Sequence, residues 1–279
     1  VEALEDHPEC DIAYCYTRRY RRGLTPENTP AELTGLTFPA MLPTFLHRRF
    51  WHTSTPIYRR RLCDRIGPWS DLADLEDVEY DMRAAALGAR LHHCPAFLTD
   101  MRDHDGGRLS EAGVYDAEHL RHLPRAYALI YESARRGGVT HESEAMRFFL
   151  EDLRLIGNRC RALGLDGEAD RLFAIGRQAT PGQGGVADPP LTLRAVIEPL
   201  TAALNTQGGR TVRLPVRVVN ESTLAFRYGC FPAALSYHLL SGDGTMRQWE
   251  NARVWFAEPL RPRESRLMEL AVQAPDHAG

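Results

Sequence analysis

Glu76 and Asp77 stand side by side in the stretch Ser70–Ser110, and a histidine follows in the polar run Arg102-Asp103-His104. Two adjacent carboxylates repel each other, which tends to raise the pKa of one and helps it hold a proton in transit. A carboxylate pair and an imidazole brought to one cleft form an active-site arrangement. Plainer roles are open to the same residues. Acidic side chains in a first helical turn are favoured by the helix dipole, by about 0.3–1 kcal/mol. A histidine in a polar loop is a common surface residue, and His92 and His93 are alternatives to His104.

The elements that must position these groups follow from local pattern. The acidic run Asp71–Asp77 leads into an amphipathic helix whose apolar positions are Val78, Met82, Ala85 and Ala86, with Leu87 in register. Gly88 is placed to end the helix in the left-handed conformation that glycine tolerates. Leu91–Leu98 reads as a strand broken at Pro95, and Arg102-Asp103-His104 as the loop after it. Helix and strand packed side by side would turn the carboxylates and the histidine into one cleft.

Upstream, Ser54-Thr55-Pro56-Ile57-Tyr58-Arg59-Arg60 is followed by Ile66-Gly67-Pro68-Trp69, then Glu76-Asp77, Arg83, Gly88 and Arg102-x-His104. In order and spacing this set resembles the second half of a family 2 glycosyltransferase of the GT-A fold, over residues 1–110. The resemblance implies a partial, Rossmann-like α/β unit and inverting transfer of a sugar from a nucleotide-sugar donor. The acceptor it implies is a glycan or lipid-linked glycan of a bacterial surface polysaccharide. Asp77 would be the base and Glu76 its partner. Arg59 and Arg60 would lie near the floor of the site, Trp69 would contact substrate and Arg102 would meet a phosphate. His104 would ligate Mn2+ or Mg2+, with Asp103 behind it. The location implied is cytoplasmic, including the inner membrane face. No Asp-x-Asp precedes Glu76, so the sequence is expected to begin inside its catalytic domain.

Composition sets limits on function. Net charge is −3 with a pI near 6.4, which argues against nucleic acid as a general partner. No apolar run approaches the roughly 20 residues of a membrane helix. An apolar fraction of 43% supplies a buried core. All 34 basic residues are arginine, which excludes Schiff-base lysine chemistry and a phosphate-loop lysine. The same arginine usage also follows from a GC-rich coding sequence. It weighs against a third activity, nucleotidyl transfer. Six cysteines without a C-x-x-C pair read as reduced and buried, not as a zinc site.

The remaining chain divides by pattern. Val1–Glu5 reads as the end of a helix and Asp11–Tyr16 as a strand. Thr17–Gly23 reads as a phosphate clamp or a solvated arm, Phe38–Phe50 as a helix and Trp51–Tyr58 as extended chain. Residues 111–179 read as helical: Ala117–Arg135, then Glu142–Leu163 with the stripe Met146, Phe149, Leu150, Leu153 and Ile156, then Asp166 to about Ile175. Residues 180–190 have linker composition. Over 191–279 the period becomes two, with Val212, Leu214, Val216 and Val218 alternating with Arg213, Pro215 and Arg217. This region resembles the immunoglobulin-like β-sandwich appended to some surface-polysaccharide glycosyltransferases, and its last strand is expected to be cut at Gly279. Tyr237, Trp249 and Trp255 are candidates for stacking on sugar rings or for its core. The alternative to an enzyme is a glycan-binding or assembly protein in which the sandwich does the work.

Overall fold

The computed structural model describes residues 1–21, 29–31, 33–103, 116–179, 192–201, 203, 205–227, 233–248, 253–256 and 258–275. Helix and sheet are mixed, and the chain divides into two units, Val1–Gly184 and Gly185–Gly279. No helix among the described residues is long and apolar enough to cross a membrane.

The first unit runs α1 (Glu2–Asp6), β1 (Ile12–Arg21), β2 (Ile57–Tyr58), α2 (Arg60–Ile66), α3 (Glu76–Ala86), β3 (Leu91–Asp103), α4 (Ala117–Arg136), α5 (Glu144–Ala162) and α6 (Asp166–Ala179). Strand β1 is central, antiparallel to β2 and parallel to β3. A parallel pair requires a crossover, and α2 and α3 lie within it. The expected break at Pro95 is instead a bulge. Cys15 pairs with Cys94, but Tyr16 pairs with Phe97, so Pro95 drops out of the ladder. Proline has no N–H to give, and displacing it lets the pairing resume beyond. Both strands therefore run further than the sequence predicts. β1 takes in the basic run as far as Arg21, and β3 takes in Arg102 and Asp103. Within this ladder Arg18 forks onto Asp100, Nε to Oδ1 at 2.8 Å and Nη2 to Oδ2 at 3.1 Å.

The helix expected over Phe38–Phe50 does not form; its regular part is one 3-10 turn, Thr44–Leu46. Pro39 and Pro43 remove backbone donors and obstruct a helix there. Met41, Phe45, Leu46 and Phe50 are buried nonetheless and Phe38 half-buried, with the rings forming an aromatic cluster. Phe38 stacks on Phe50 at 3.7 Å, Phe45 meets Phe50 edge-on at 5.1 Å, and Trp51 lies 5.1 Å from Tyr14. The three later helices agree closely with their apolar periods. Asp116 caps α4 by accepting from the His119 N–H, and Ser143 caps α5 by accepting from that of Met146. Of the stripe on α5, Met146, Phe149, Leu153 and Ile156 are buried and Leu150 is half-buried, and Phe148, outside the stripe, is buried as well.

The second unit holds β4 (Ala195–Pro199), β5 (Thr211–Asn220), β6 (Ala234–Leu235), β7 (Leu239–Leu240), β8 (Met246–Gln248), β9 (Val254–Trp255) and β10 (Ser265–Gln273). They form three small antiparallel sheets: β10-β5-β4, β6-β9 and β7-β8. Val216 and Val218 of β5 pack with Leu235, Phe256, Leu260 and Leu270, while Arg213 and Arg217 are exposed on the opposite face. Asn220, fully buried, closes the turn that follows β5 and ties it to the segment at Leu260. It donates to the carbonyls of Leu224 (2.8 Å) and Leu260 (2.7 Å) and accepts from the Ser222 N–H (2.8 Å).

Candidate functional site

Helix α3 presents the carboxylate pair in its first turn, as its acidic start predicts. Leu75 precedes it in the left-handed region, φ 60°, a conformation uncommon outside glycine. This turn is fixed from several sides. The Asp74 carboxylate accepts from the Leu75 N–H (2.8 Å) and pairs with His119 of α4, whose Nε2 lies 2.8 Å away. Arg125 of α4 donates to the Asp71 carbonyl at 2.8 Å. Further along α3, Arg83 pairs with Glu79 (2.8 Å) and donates to the carbonyls of Ile66 (2.7 Å) and Pro68 (2.9 Å). At the other end Gly88 takes φ +70°, and the helix stops where the sequence places its end.

The face of α3 turned inward is more polar than its apolar period predicts. Glu79, Tyr80 and Asp81 are buried with Met82, Ala84 and Ala85, whereas Leu87 is 39% exposed. Burial of these carboxylates is sustained by arginine. The Arg49 guanidinium donates from Nη1 to Asp77 Oδ2 at 2.5 Å, and from Nε and Nη2 to Asp81 Oδ2 at 3.2 and 3.1 Å. Thr53 Oγ1 also donates to Asp77 Oδ2. Trp51 Nε1 reaches Asp81 Oδ2 at 3.2 Å, and the Tyr58 hydroxyl donates to Asp81 Oδ1. Asp77 Oδ1 accepts from the Val78 N–H at 2.7 Å. The side chains of Asp77 and Asp81 are 18% and 1% exposed.

The electrostatics follow from this geometry. Burial alone would raise the Asp77 pKa. The Arg49 charge and the hydrogen bonds from Thr53, Arg49 and the Val78 N–H outweigh it and hold Asp77 below the usual carboxylate range. The upward shift expected from carboxylate repulsion is thus not found at Asp77. Burial pushes Asp81 up, against the Arg49 charge and the hydrogen bonds from Tyr58, Arg49 and Trp51. Burial disfavours the Arg49 cation, but the charges of Asp81 and Asp77 more than restore it. Tyr58 is raised by burial and by the Asp81 charge.

The other predicted site residues lie as follows. Glu76 sits half-buried beside Asp77 and takes no part in the Arg49 network. Trp69, 49% exposed, stacks on Tyr80 at 5.2 Å, and Tyr80 meets the Tyr58 ring edge-on at 5.8 Å, so Trp69 joins the cluster through two rings. Arg59 is turned elsewhere, donating to the carbonyls of Cys10 (2.6 Å), Leu4 and His7 (3.0 Å). Arg60 is exposed and pairs with Asp64 at 2.7 Å. Both arginines line a pocket of about 440 Å3 with Val1, Leu4, Glu5, Ile57, Tyr58 and Arg61. Arg102 lies in β3 opposite Tyr20. His104 lies outside the described residues, as does Trp249. His93, an alternative to His104, is held by Thr37 Oγ1 (2.8 Å) and the Thr34 carbonyl (2.9 Å); His92 stacks on His7 at 3.9 Å. Among the described residues no group of three or more His, Cys, Asp or Glu side chains is arranged to hold a metal ion. In the second unit Trp255 is 37% exposed, and the Tyr237 hydroxyl accepts from the Gln273 N–H at 2.9 Å.

Sequence reasoning passed over Arg49, Trp51, Thr53 and Asp81. One local signal was available: Asp77 and Asp81 are spaced i, i+4, which puts two carboxylates on one helical face. No family model, no curated protein and no solved structure matches this chain.

Proposed function

We propose that the protein is an inverting glycosyltransferase in which Asp77 takes the proton of an acceptor hydroxyl. The donor is a nucleotide-sugar and the acceptor a glycan or lipid-linked glycan. The observation that carries the reading is the placement of Asp77: a carboxylate at a helix start, partly open to solvent, its orientation set by Arg49 and Thr53. In the transfer, the acceptor oxygen bonds to the anomeric carbon while its proton passes to Asp77. The bond from that carbon to the diphosphate oxygen breaks, and its electron pair leaves with the nucleoside diphosphate. The partial GT-A reading of the first unit and the immunoglobulin-like reading of the second belong to this proposal. So does a divalent cation, Mn2+ or Mg2+, on the diphosphate, with His104 as one ligand. The described residues offer no group of three or more side chains to hold it.

The test is release of nucleoside diphosphate from a panel of nucleotide-sugars by the natural full-length protein, with and without Asp77→Asn. Loss of turnover by about 10²–10⁴-fold is expected for a missing general base. Full activity in the variant overturns the assignment. A second reading, a glycan-binding or assembly protein without turnover, is favoured by the pKa of Asp77, which is held below the usual carboxylate range and makes it a weak base. Glycan binding without diphosphate release from any donor would select it.

A further inference from the structure

Counting lone pairs separates the two oxygens of Asp77. A carboxylate oxygen accepts about two hydrogen bonds. Oδ2 receives two, from Arg49 Nη1 and Thr53 Oγ1, and is filled. Oδ1 receives one, from the Val78 N–H of its own helical turn, and keeps one acceptor position. Arg49 is itself held in place, because its Nε and Nη2 both point to Asp81 Oδ2. Asp81 in turn is fixed by Trp51 Nε1 and the Tyr58 hydroxyl. A planar guanidinium with three donors committed at two carboxylates has little rotational freedom left.

We infer that Arg49 is a positioning residue for Asp77, filling Oδ2 together with Thr53 so that Oδ1 is the oxygen that receives the acceptor proton, while Asp81 anchors Arg49. The inference rests on the base role proposed for Asp77 and adds the residue that orients it. Asp81, almost wholly enclosed and so closed to an acceptor, is an anchor and not a second base. Other charged groups close to this assembly on α3 are Glu76, next to Asp77 in sequence, and Glu79, which is neutralised by Arg83.

The experiment is a carboxyl-13C titration of Asp77 in the full chain, its signal assigned by loss in Asp77→Asn. It is run on wild type, Arg49→Met, Arg49→Lys and Thr53→Val, beside kcat and KM for diphosphate release. The wild-type midpoint is expected below the ordinary carboxylate range. Arg49→Met should raise it by about one pH unit or more, the size typical of an adjacent arginine. It should also lower kcat by about 100-fold with little change in donor KM, as misplacement of a reacting group does. Arg49→Lys, which keeps the charge but loses the fork, should recover most of the midpoint and little of kcat. Thr53→Val removes one donor from Oδ2, leaves the buried ion pairs intact, and should raise the midpoint by a smaller step. If Arg49→Met fails to fold, Thr53→Val decides. An Asp77 midpoint unmoved in the folded variants overturns the inference. A midpoint that moves as expected while Asp77→Asn keeps full turnover leaves the Arg49 lock standing and removes the base role.

Discussion

Arg49 meets Asp77 at 2.5 Å, and the same guanidinium reaches Asp81 one helical turn further along α3. One cation from the irregular segment before β2 thus satisfies two carboxylates on one helical face. A single buried carboxylate without a cation would be driven to the neutral form. Here Asp77 stays ionised with part of its surface open, and Asp81, enclosed, takes hydrogen bonds from Trp51 and Tyr58 as well.

Stability should depend on Asp77 in acid. Its folded pKa lies below the reference value of 3.8, so its contribution is fully present above that value. It is lost as pH falls through the lowered folded value, because the unfolded state then binds the proton more readily. Asp81 has the opposite sign: its raised folded pKa means that its burial costs stability above that pKa, and the cost disappears as both states protonate. Comparing wild type with Asp77→Asn isolates the first effect. Urea unfolding of both from about pH 6 to about pH 2.5 should show a gap that is constant near neutrality and shrinks at the acid end. A gap of the same size at both ends would contradict the Arg49–Asp77 pairing.

Asp81→Leu should be among the most damaging substitutions in the first unit. It strands the Trp51 N–H and the Tyr58 hydroxyl without an acceptor and leaves Arg49 with one carboxylate. Breaking a buried pair from one side costs about 3–5 kcal/mol. Denaturant unfolding checks it, and a loss smaller than that of an ordinary surface substitution would show that Asp81 does not anchor Arg49.

Gly137 ends α4 against α3. A methyl group at that position would lie 2.2 Å from Leu42 Cδ1 and 3.3 Å from the Ala86 Cα. Leu42 can swing aside, but the helix backbone must also shift. Gly137→Ala should therefore destabilise by about 1–3 kcal/mol, the usual cost of overpacking. Thermal unfolding measures it; Gly138, at φ +83° with open space around its Cβ position, tests conformation without crowding.

In the second unit, Asn220→Asp is nearly isosteric but, once ionised, cannot donate. The Leu224 carbonyl would lose the donor from Asn220, the Leu260 carbonyl would keep only the Phe226 N–H, and both would face a buried anion. A cost of about 2 kcal/mol or more is expected from unpaired buried polar groups. It should grow as pH rises through the carboxylate range, because only the ionised form repels the carbonyls. A melting temperature independent of pH would contradict this role.

The sequence alone determined what depends on local backbone and period. The acidic first turn of α3, its glycine stop, the apolar stripe of α5 and the alternation along β5 follow from residues close in the chain, where helical and extended geometry fix which side chains share a face. Tertiary structure decided the partners. The sequence shows neither that Arg49, rather than Arg48, holds Asp77 and Asp81, nor that Arg59 turns to the carbonyls of Leu4, His7 and Cys10. Nor does it show that Phe38–Phe50 packs as an aromatic cluster without helix, or that Asn220 reaches the Leu260 carbonyl, 40 residues on. Each of these depends on segments far apart in sequence meeting in a low-dielectric interior, where a polar group must find a partner and which one it finds is set by the packing around it.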